Sequence, residues 1–475
     1  MQIKRINRRQ FLQLTGAASA ASVLAACGGG DEATEEATAP SGGEQVATQP
    51  PSAERVPVEF LGDPGSPELY PEEMDKFHAE NPDVEWLLVQ QAEGVSRLEQ
   101  LLSLIAAGTP PDCARVESDV YRTFCKDDVL LAMTDYINQD PEMSDPNYWI
   151  QPQESDRCVY EGDWYGIGSC WVAPHFYYNK DLFDELGVDP PSNDPEEAWE
   201  WDHFLEVARQ LTVDTSGNHP GDAGFDPDST DRWGVNWPTW WIPLHAAVQS
   251  NGADWVDPET QKIALDKPAA MEALQAIADL THVHHVMPSA QSMEALGMEG
   301  AQLLETKKVA LVCDGSWALS WLWEIEGTLG TAVLPKMTRP GTDMQAHLVT
   351  IVQETENPDA AWKLIRFLAS HWYQERYCRS GLWLPSQSTL MTDESIASWC
   401  VPPEHPEGYE LIVTEYTPKY GHYLTMPVGY VKAVETTLQP VFDQIFAGMA
   451  QAKDVLPEAV ADANKVMEDE QARGT

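Results

Sequence analysis

Four tryptophans fall within nine positions, Trp233, Trp237, Trp240 and Trp241, and no helical or strand period turns all four toward one core. A fifth, Trp317, follows the apolar run 309–313, an Asp314-Gly315 break and Ser316. That order reads as a strand, a turn and a helix capped by Ser316, with Trp317 in its first turn. Ligands of open α/β sheets bind at such places, because strand ends and helix N-termini leave backbone groups unpaired beside a crevice. Asp63 and Glu117 stand at the ends of two further strands. An indole offers a flat, negative π-face, and a carboxylate accepts hydroxyl hydrogens. Together they suit a pyranose ring, with its apolar C–H face and its rim of hydroxyls. A core tryptophan beside an ordinary strand–helix turn fits the same segment.

Other chemistries find less support. No His-Glu-x-x-His, Gly-x-x-x-x-Gly-Lys-Ser/Thr or Gly-x-Ser-x-Gly occurs, so common metalloprotease, nucleotide and hydrolase signatures are absent. Gly166-Ile167-Gly168 lacks the helix-opening third glycine of a dinucleotide site. With 76 acidic residues, no carboxylate pair can be singled out for glycoside hydrolysis, which depends on separation in space. His282, His284 and His285 do not all share a helix face and lie near a helix end, where histidine interacts favourably with the dipole. No metal or other cofactor is therefore implied. A net charge of −47 argues against nucleic acid, whose phosphates require clustered Lys and Arg.

The elements that must position these residues alternate. Strands are expected over 56–61, 83–90 and 113–116, with helices over 67–80 and 97–107 stopped by Asn81-Pro82 and Gly108. Such alternation argues for α/β architecture, a mostly parallel sheet with helices on both faces. Glu161-Gly162-Asp163 between Val159-Tyr160 and Trp164-Tyr165 is a hairpin signal, and Asn179 caps a helix closed by Gly187. Further helices are expected over 268–286, 292–305, 427–448 and 454–470. At 475 residues, with 43% hydrophobic and 22% charged side chains, two or more lobes of a globular protein are expected.

The N-terminus carries export signals. Lys4, Arg5, Arg8 and Arg9 precede a modest apolar stretch, and Asn7-Arg8-Arg9-Gln10-Phe11-Leu12 resembles the twin-arginine motif. Leu24-Ala25-Ala26-Cys27 resembles a bacterial lipobox, so residues 1–26 read as a signal peptide and Cys27 as the lipidated residue, anchoring the chain to a membrane. Residues 27–54, rich in Gly, Ser, Thr, Pro and acids, read as a disordered tether that spans roughly 30 Å. Cys113, Cys125, Cys158, Cys170, Cys313, Cys378 and Cys400 follow, without any Cys-x-x-Cys pair; their pairing cannot be deduced, and buried thiols are the default.

Four blocks then occur in order: Ala106-Ala107-Gly108-Thr109-Pro110-Pro111-Asp112; Gly162 to Gly168 with Tyr177-Tyr178-Asn179-Lys180-Asp181-Leu182-Phe183; Ala310 to Trp317; and Asn357-Pro358-Asp359-Ala360-Ala361-Trp362 with Arg366-Phe367-Leu368. Together they resemble extracellular solute-binding proteins of ABC importers, family 1, the class of maltose-binding protein. Gly168 replaces the family's usual proline. The resemblance implies a two-lobed periplasmic-binding-protein fold (type II) with a hinge. Its lobes would be 55–170 with 336–383 and 171–335 with 384–475, and the crossings would lie at 169–174, near Val333-Leu334-Pro335 and near Trp383-Leu384-Pro385. It implies a monomer that binds a carbohydrate without catalysis and delivers it to permease subunits. Trp317 matches a sugar-stacking position and Asp119 a hydroxyl-accepting one. Trp171, Trp237, Trp240, Trp383 and Tyr430 fall where an aromatic would meet ligand, though each also reads as a packing residue. An exported carbohydrate-active enzyme, or a surface sensor or adhesin on the same scaffold, would share these features.

Overall fold

In the computed structural model, the structure describes residues 55–62, 70–92 and 94–473. The signal peptide, the tether, Cys27 and Asp63 lie outside the described residues.

Two five-stranded sheets organise the chain. The first runs Val84–Val89, Val56–Leu61, Cys113–Val116, Leu348–Ile351, Gly166–Ile167. Its first three strands are parallel, joined through the helices Tyr70–Glu80 and Arg97–Ala106; Leu348–Ile351 runs antiparallel to both of its neighbours. Ser96 starts the second helix with a reciprocal capping box to Glu99, which satisfies two otherwise orphaned backbone donors. The second sheet runs Leu329–Ala332, Pro174–Asn179, Val309–Gly315, Thr230–Asn236, Val213–Asp214. Pro174–Asn179 is antiparallel to both neighbours, whereas Val309–Gly315 and Thr230–Asn236 are parallel. Both sheets are thus mixed rather than mostly parallel. Every residue of Pro174–Asn179 is buried, as befits a strand covered on both faces.

Several helices differ from the expectation for local reasons. The 292–305 stretch is two helices, Ala290–Leu296 and Gly300–Glu305, parted at Gly297 with φ 60°. The helical stretch from Tyr430 to Phe446 contains a π-turn, Val434–Leu438, just before Pro440. Proline cannot donate to the preceding turn, and a widened turn relieves its ring. No described helix is long and apolar enough to cross a membrane. The seven described cysteines are all unpaired, and six are buried.

Three chain segments cross between the sheets, and they hydrogen-bond to one another. Trp171 and Leu384 exchange backbone bonds of 2.8 and 2.9 Å, and Val172 and Gln345 bonds of 2.8 and 3.0 Å. The second crossing lies later than Val333-Leu334-Pro335. Lys336 N still donates to Trp199 O and Thr338 N to Ser250 O, and Thr342–Asp343 pairs with Gly421–His422. The chain enters the first sheet only at Leu348. Three short paired segments at one edge are what a hinge between two lobes requires.

Candidate functional site

The strand Val309–Gly315 does not break at Asp314. It pairs through Gly315 with Pro174, because the antiparallel neighbour supplies partners to its very end. Ser316 is consequently not a cap. It is buried, its N–H donates to Ala173 O at 2.9 Å, and its Oγ accepts from Ala173 N. A single 3₁₀ turn, Ser316–Ala318, then presents Trp317. The indole lies directly over Gly315: a Cβ there would stand 2.0–2.2 Å from three ring atoms.

Trp317 forms one wall of a cavity of about 480 Å³ between the two sheets. Trp240, just before the helix Trp241–Ser250, stands beside it, with ring centroids 5.8 Å apart and planes at 49°. Trp240 is 42% exposed, and Trp241 lines the same wall. Trp383, at the third crossing, closes one side; its indole is stacked on Tyr377 at 4.2 Å and so held in place. The first sheet contributes Arg115, Glu117 and Asp119 from the end of Cys113–Val116 and the start of the helix Ser118–Lys126. Gln345 and His347 come from the second crossing. Ser118 Oγ lies 2.7 Å from both Gln345 Oε1 and Ala346 O, which fixes that crossing against the helix.

The electrostatics divide the acids. Glu117 is spanned by two guanidinium groups, Arg97 at 2.7 Å and Arg115 at 3.3 Å, so its charge is largely answered within the protein. Asp119 shares neither of these bridges. Burial, and then the neighbouring Glu117 charge, push its pKa up to about 6. His347 is buried, and desolvation together with the charges of Arg115, Arg157 and Arg97 holds it neutral, well below its ordinary range. Its Nε2 meets Ser169 Oγ at 3.2 Å.

Of the residues expected at a site, Trp317, Trp240, Trp383, Asp119 and Glu117 line this cavity. Three do not. Trp237 is 2% exposed in the core of the second sheet, edge-on to Phe176 at 5.6 Å, its Nε1 donating to Pro243 O. Trp171 is fully buried beneath Arg157, whose guanidinium carbon stands 3.6 Å from the ring centroid. Tyr430 is buried among the C-terminal helices. The tryptophan cluster therefore splits, Trp233 and Trp237 packing inward while Trp240 and Trp241 reach the cavity. Arg115, Gln345 and His347 were not anticipated. Arg115 sits on a strand whose pattern signalled only packing, and the other two lie on a crossing without a local sequence signal. Of the histidine trio, His282 bonds Phe446 O and His284 meets Arg209, and no metal-holding group occurs among the described residues.

Over residues 63–375 the sequence matches the model of the bacterial extracellular solute-binding proteins. The chain belongs to that family. An arabinooligosaccharide-binding protein of Halalkalibacterium halodurans is 24% identical over 253 residues, 53% of this chain and 51% of that one. The chain thus spans about half the length of this relative. A putative binding protein of Brucella abortus is 23% identical over 66% of this chain and 72% of its own. Among solved structures, an ABC substrate-binding protein of Listeria monocytogenes, in complex with cycloalternan, superposes with a TM-score of 0.74 at 19% identity. It covers 87% of this chain and 100% of that one. The sugar-binding protein MalE of Xanthomonas citri gives 0.68 at 17%, over 88% and 98%. These neighbours share the two-lobed fold of family members.

Proposed function

We propose that this solute-binding protein captures a carbohydrate in the interlobe cleft and delivers it to the membrane subunits of an ABC importer. The observation that carries the reading is the pairing of Trp317 with Trp240 on one wall, opposite Asp119 and Arg115 on the other. Indoles cover the apolar faces of sugar rings while the acid and guanidinium bond the hydroxyls. Trp383 would close the end of the site. The lobes, 55–170 with the chain after the second crossing to 383, and 171 to that crossing with 384–475, swing about the three paired segments. Ligand stabilises the closed form through its greater affinity for it. The site acts by binding, without turnover. Sugar-binding names among the relatives support the reading, as does the family's extracellular station. Residues 1–26 would direct twin-arginine export, and a lipid on Cys27 would hold the monomer at the membrane's outer face.

A thermal-shift screen against mono- and oligosaccharides tests it. A cognate sugar at about 100 times its Kd adds roughly 2.7 kcal/mol to stability, a rise of several degrees for a body of this size. A panel without any shift, repeated by calorimetry, would overturn the carbohydrate reading.

Asp119 gives the binding a pH signature. Its pKa is raised to about 6, so in the empty protein its protonation contributes stability below the ordinary carboxylate range, and that contribution is lost as pH rises through 6. A sugar hydroxyl donating to the carboxylate favours the ionised form. Affinity should therefore fall as pH drops from 7 to 5, and Asp119→Asn should bind weakly with little pH dependence over that range. Titrations at four pH values decide it; an unchanged slope in the variant would remove Asp119 from the site.

A further inference from the structure

Among the described tryptophans, two stand among the exposed large hydrophobic residues, Trp240 at 42% and Trp321 at 45%. Trp240 is accounted for by the cleft; Trp321 is not. It follows Trp317 by four residues, along the 3₁₀ turn Ser316–Ala318 and the helix Leu319–Leu322. Positions four apart share a helix face about one turn distant. The pattern of exposure agrees: Trp321 and Glu324 are exposed and Trp317 and Ser320 half-buried, while Ala318, Leu319 and Leu322 are buried. The two indoles thus form a stripe that leads from the cleft outward.

At its outer end lies a second cavity of about 750 Å³, bounded by Trp321, Asp314, Met293, Met298 and Gln302. Asp314 is the residue before Gly315, the glycine beneath Trp317, so the two cavities are separated by one strand end. Its carboxylate accepts from Gly315 N at 2.7 Å, and burial pushes its pKa up to about 6, leaving it ionised at neutral pH with oxygen lone pairs to spare. The Gln302 amide adds a donor and an acceptor. A half-exposed indole, two thioethers, the carboxylates of Asp314, Glu294 and Glu299, and an amide repeat the pairing of apolar plate and hydroxyl acceptor found in the cleft.

We propose that Trp321 and Asp314 form an outer sugar subsite, and that the ligand is an oligosaccharide running from the Trp317–Trp240 wall over this platform. The proposal rests on the carbohydrate reading of the cleft and adds chain length to it. Units in the cleft supply the affinity common to all ligands; units on Trp321 supply the preference for longer chains.

Calorimetry with malto- and arabino-oligosaccharide ladders, disaccharide to hexasaccharide, tests it on the full protein, Trp321→Ala and Trp321→Phe. In the parent, affinity should rise with length. Trp321→Ala should leave the shortest bound sugar unaffected and weaken the longer ones about threefold to tenfold, with Trp321→Phe between, at unchanged melting temperature. Equal affinities in parent and Ala variant at every length would overturn the subsite while leaving the cleft intact. Equal losses at every length, with a lowered melting temperature, would mark Trp321 as a packing residue and overturn it too. A parent that binds neither ladder overturns the carbohydrate reading and the subsite together.

Discussion

Glu154→Gln should destabilise the unliganded protein by about 3–5 kcal/mol, far more than its size change suggests. Glu154 and Arg157 have fully buried side chains and bond at 2.6 and 3.1 Å. Glu154 Oε1 also accepts from Gly168 N at 2.7 Å, in the strand end that leads into the first crossing. The guanidinium sits over Trp171, whose backbone pairs with Leu384 of the third crossing. The pair is therefore the footing on which the hinge segments rest. Removing one charge strands the other in a site that water cannot reach, and that uncompensated charge is the main cost. Removing both is a different matter. Glu154→Gln with Arg157→Met keeps an acceptor for Gly168 N and fills most of the volume, so it should recover most of the loss. Urea unfolding measures both, through midpoints at constant slope. A double variant as unstable as the single would show that the charges themselves, and not their imbalance, hold the segment.

The same pair explains a departure from the family pattern. The block 162–168 resembles the family pattern except at Gly168, where that pattern has proline. A Cβ at Gly168 would lie 1.5 Å from Arg157 Nη2 and 2.4 Å from Glu154 Oε1, and a proline has no N–H to give the carboxylate. The buried ions and the glycine are thus one feature. Neither could be inferred without the other, since nothing in the local sequence sets Glu154 and Arg157 apart from solvated charges.

What was legible in the chain was whatever local chemistry alone decides. Val56–Leu61 and Cys113–Val116 form as read, because compact apolar runs bounded by turn residues have few alternatives. Glu161 and Gly162 take positive φ in the expected hairpin, and Asn179 and Gly187 bound the expected helix. The two-lobed fold was readable from four spaced blocks. What failed was anything settled by a distant partner. Ser316 has the type of a cap but bonds Ala173, just before a strand far away in sequence. Trp237 and Trp240 differ by three residues and by opposite fates, since Phe176 and Phe204 cover the first while the second overhangs the cleft. The second crossing slipped past Pro335 because Ser250, Trp199 and His422 hold the chain a few residues longer.

The largest effect on binding should come from the contact between Gly315 and Trp317. Trp317→Ala removes an indole that ligand would cover, a loss of about 2 kcal/mol or more from burial and stacking together, roughly 30-fold or more in Kd. Gly315→Ala should come close to the same loss with the indole still present. Gly315 has φ −74° and ψ 163°, a conformation alanine adopts freely, so backbone strain is not the cause. The added methyl would instead occupy the space of the ring, 2.0–2.2 Å from three of its atoms, and the indole must swing out of the sugar's plane. Overpacking of this kind costs about 1–3 kcal/mol of stability as well. In the double variant the clash is gone along with the ring. Gly315→Ala/Trp317→Ala should therefore bind no worse than Trp317→Ala alone and should be more stable than Gly315→Ala, a strongly non-additive cycle. Titration and melting of the four proteins decide it. Losses that simply add would mean that Gly315 and Trp317 act apart, and the indole would no longer be the plate on which the sugar rests.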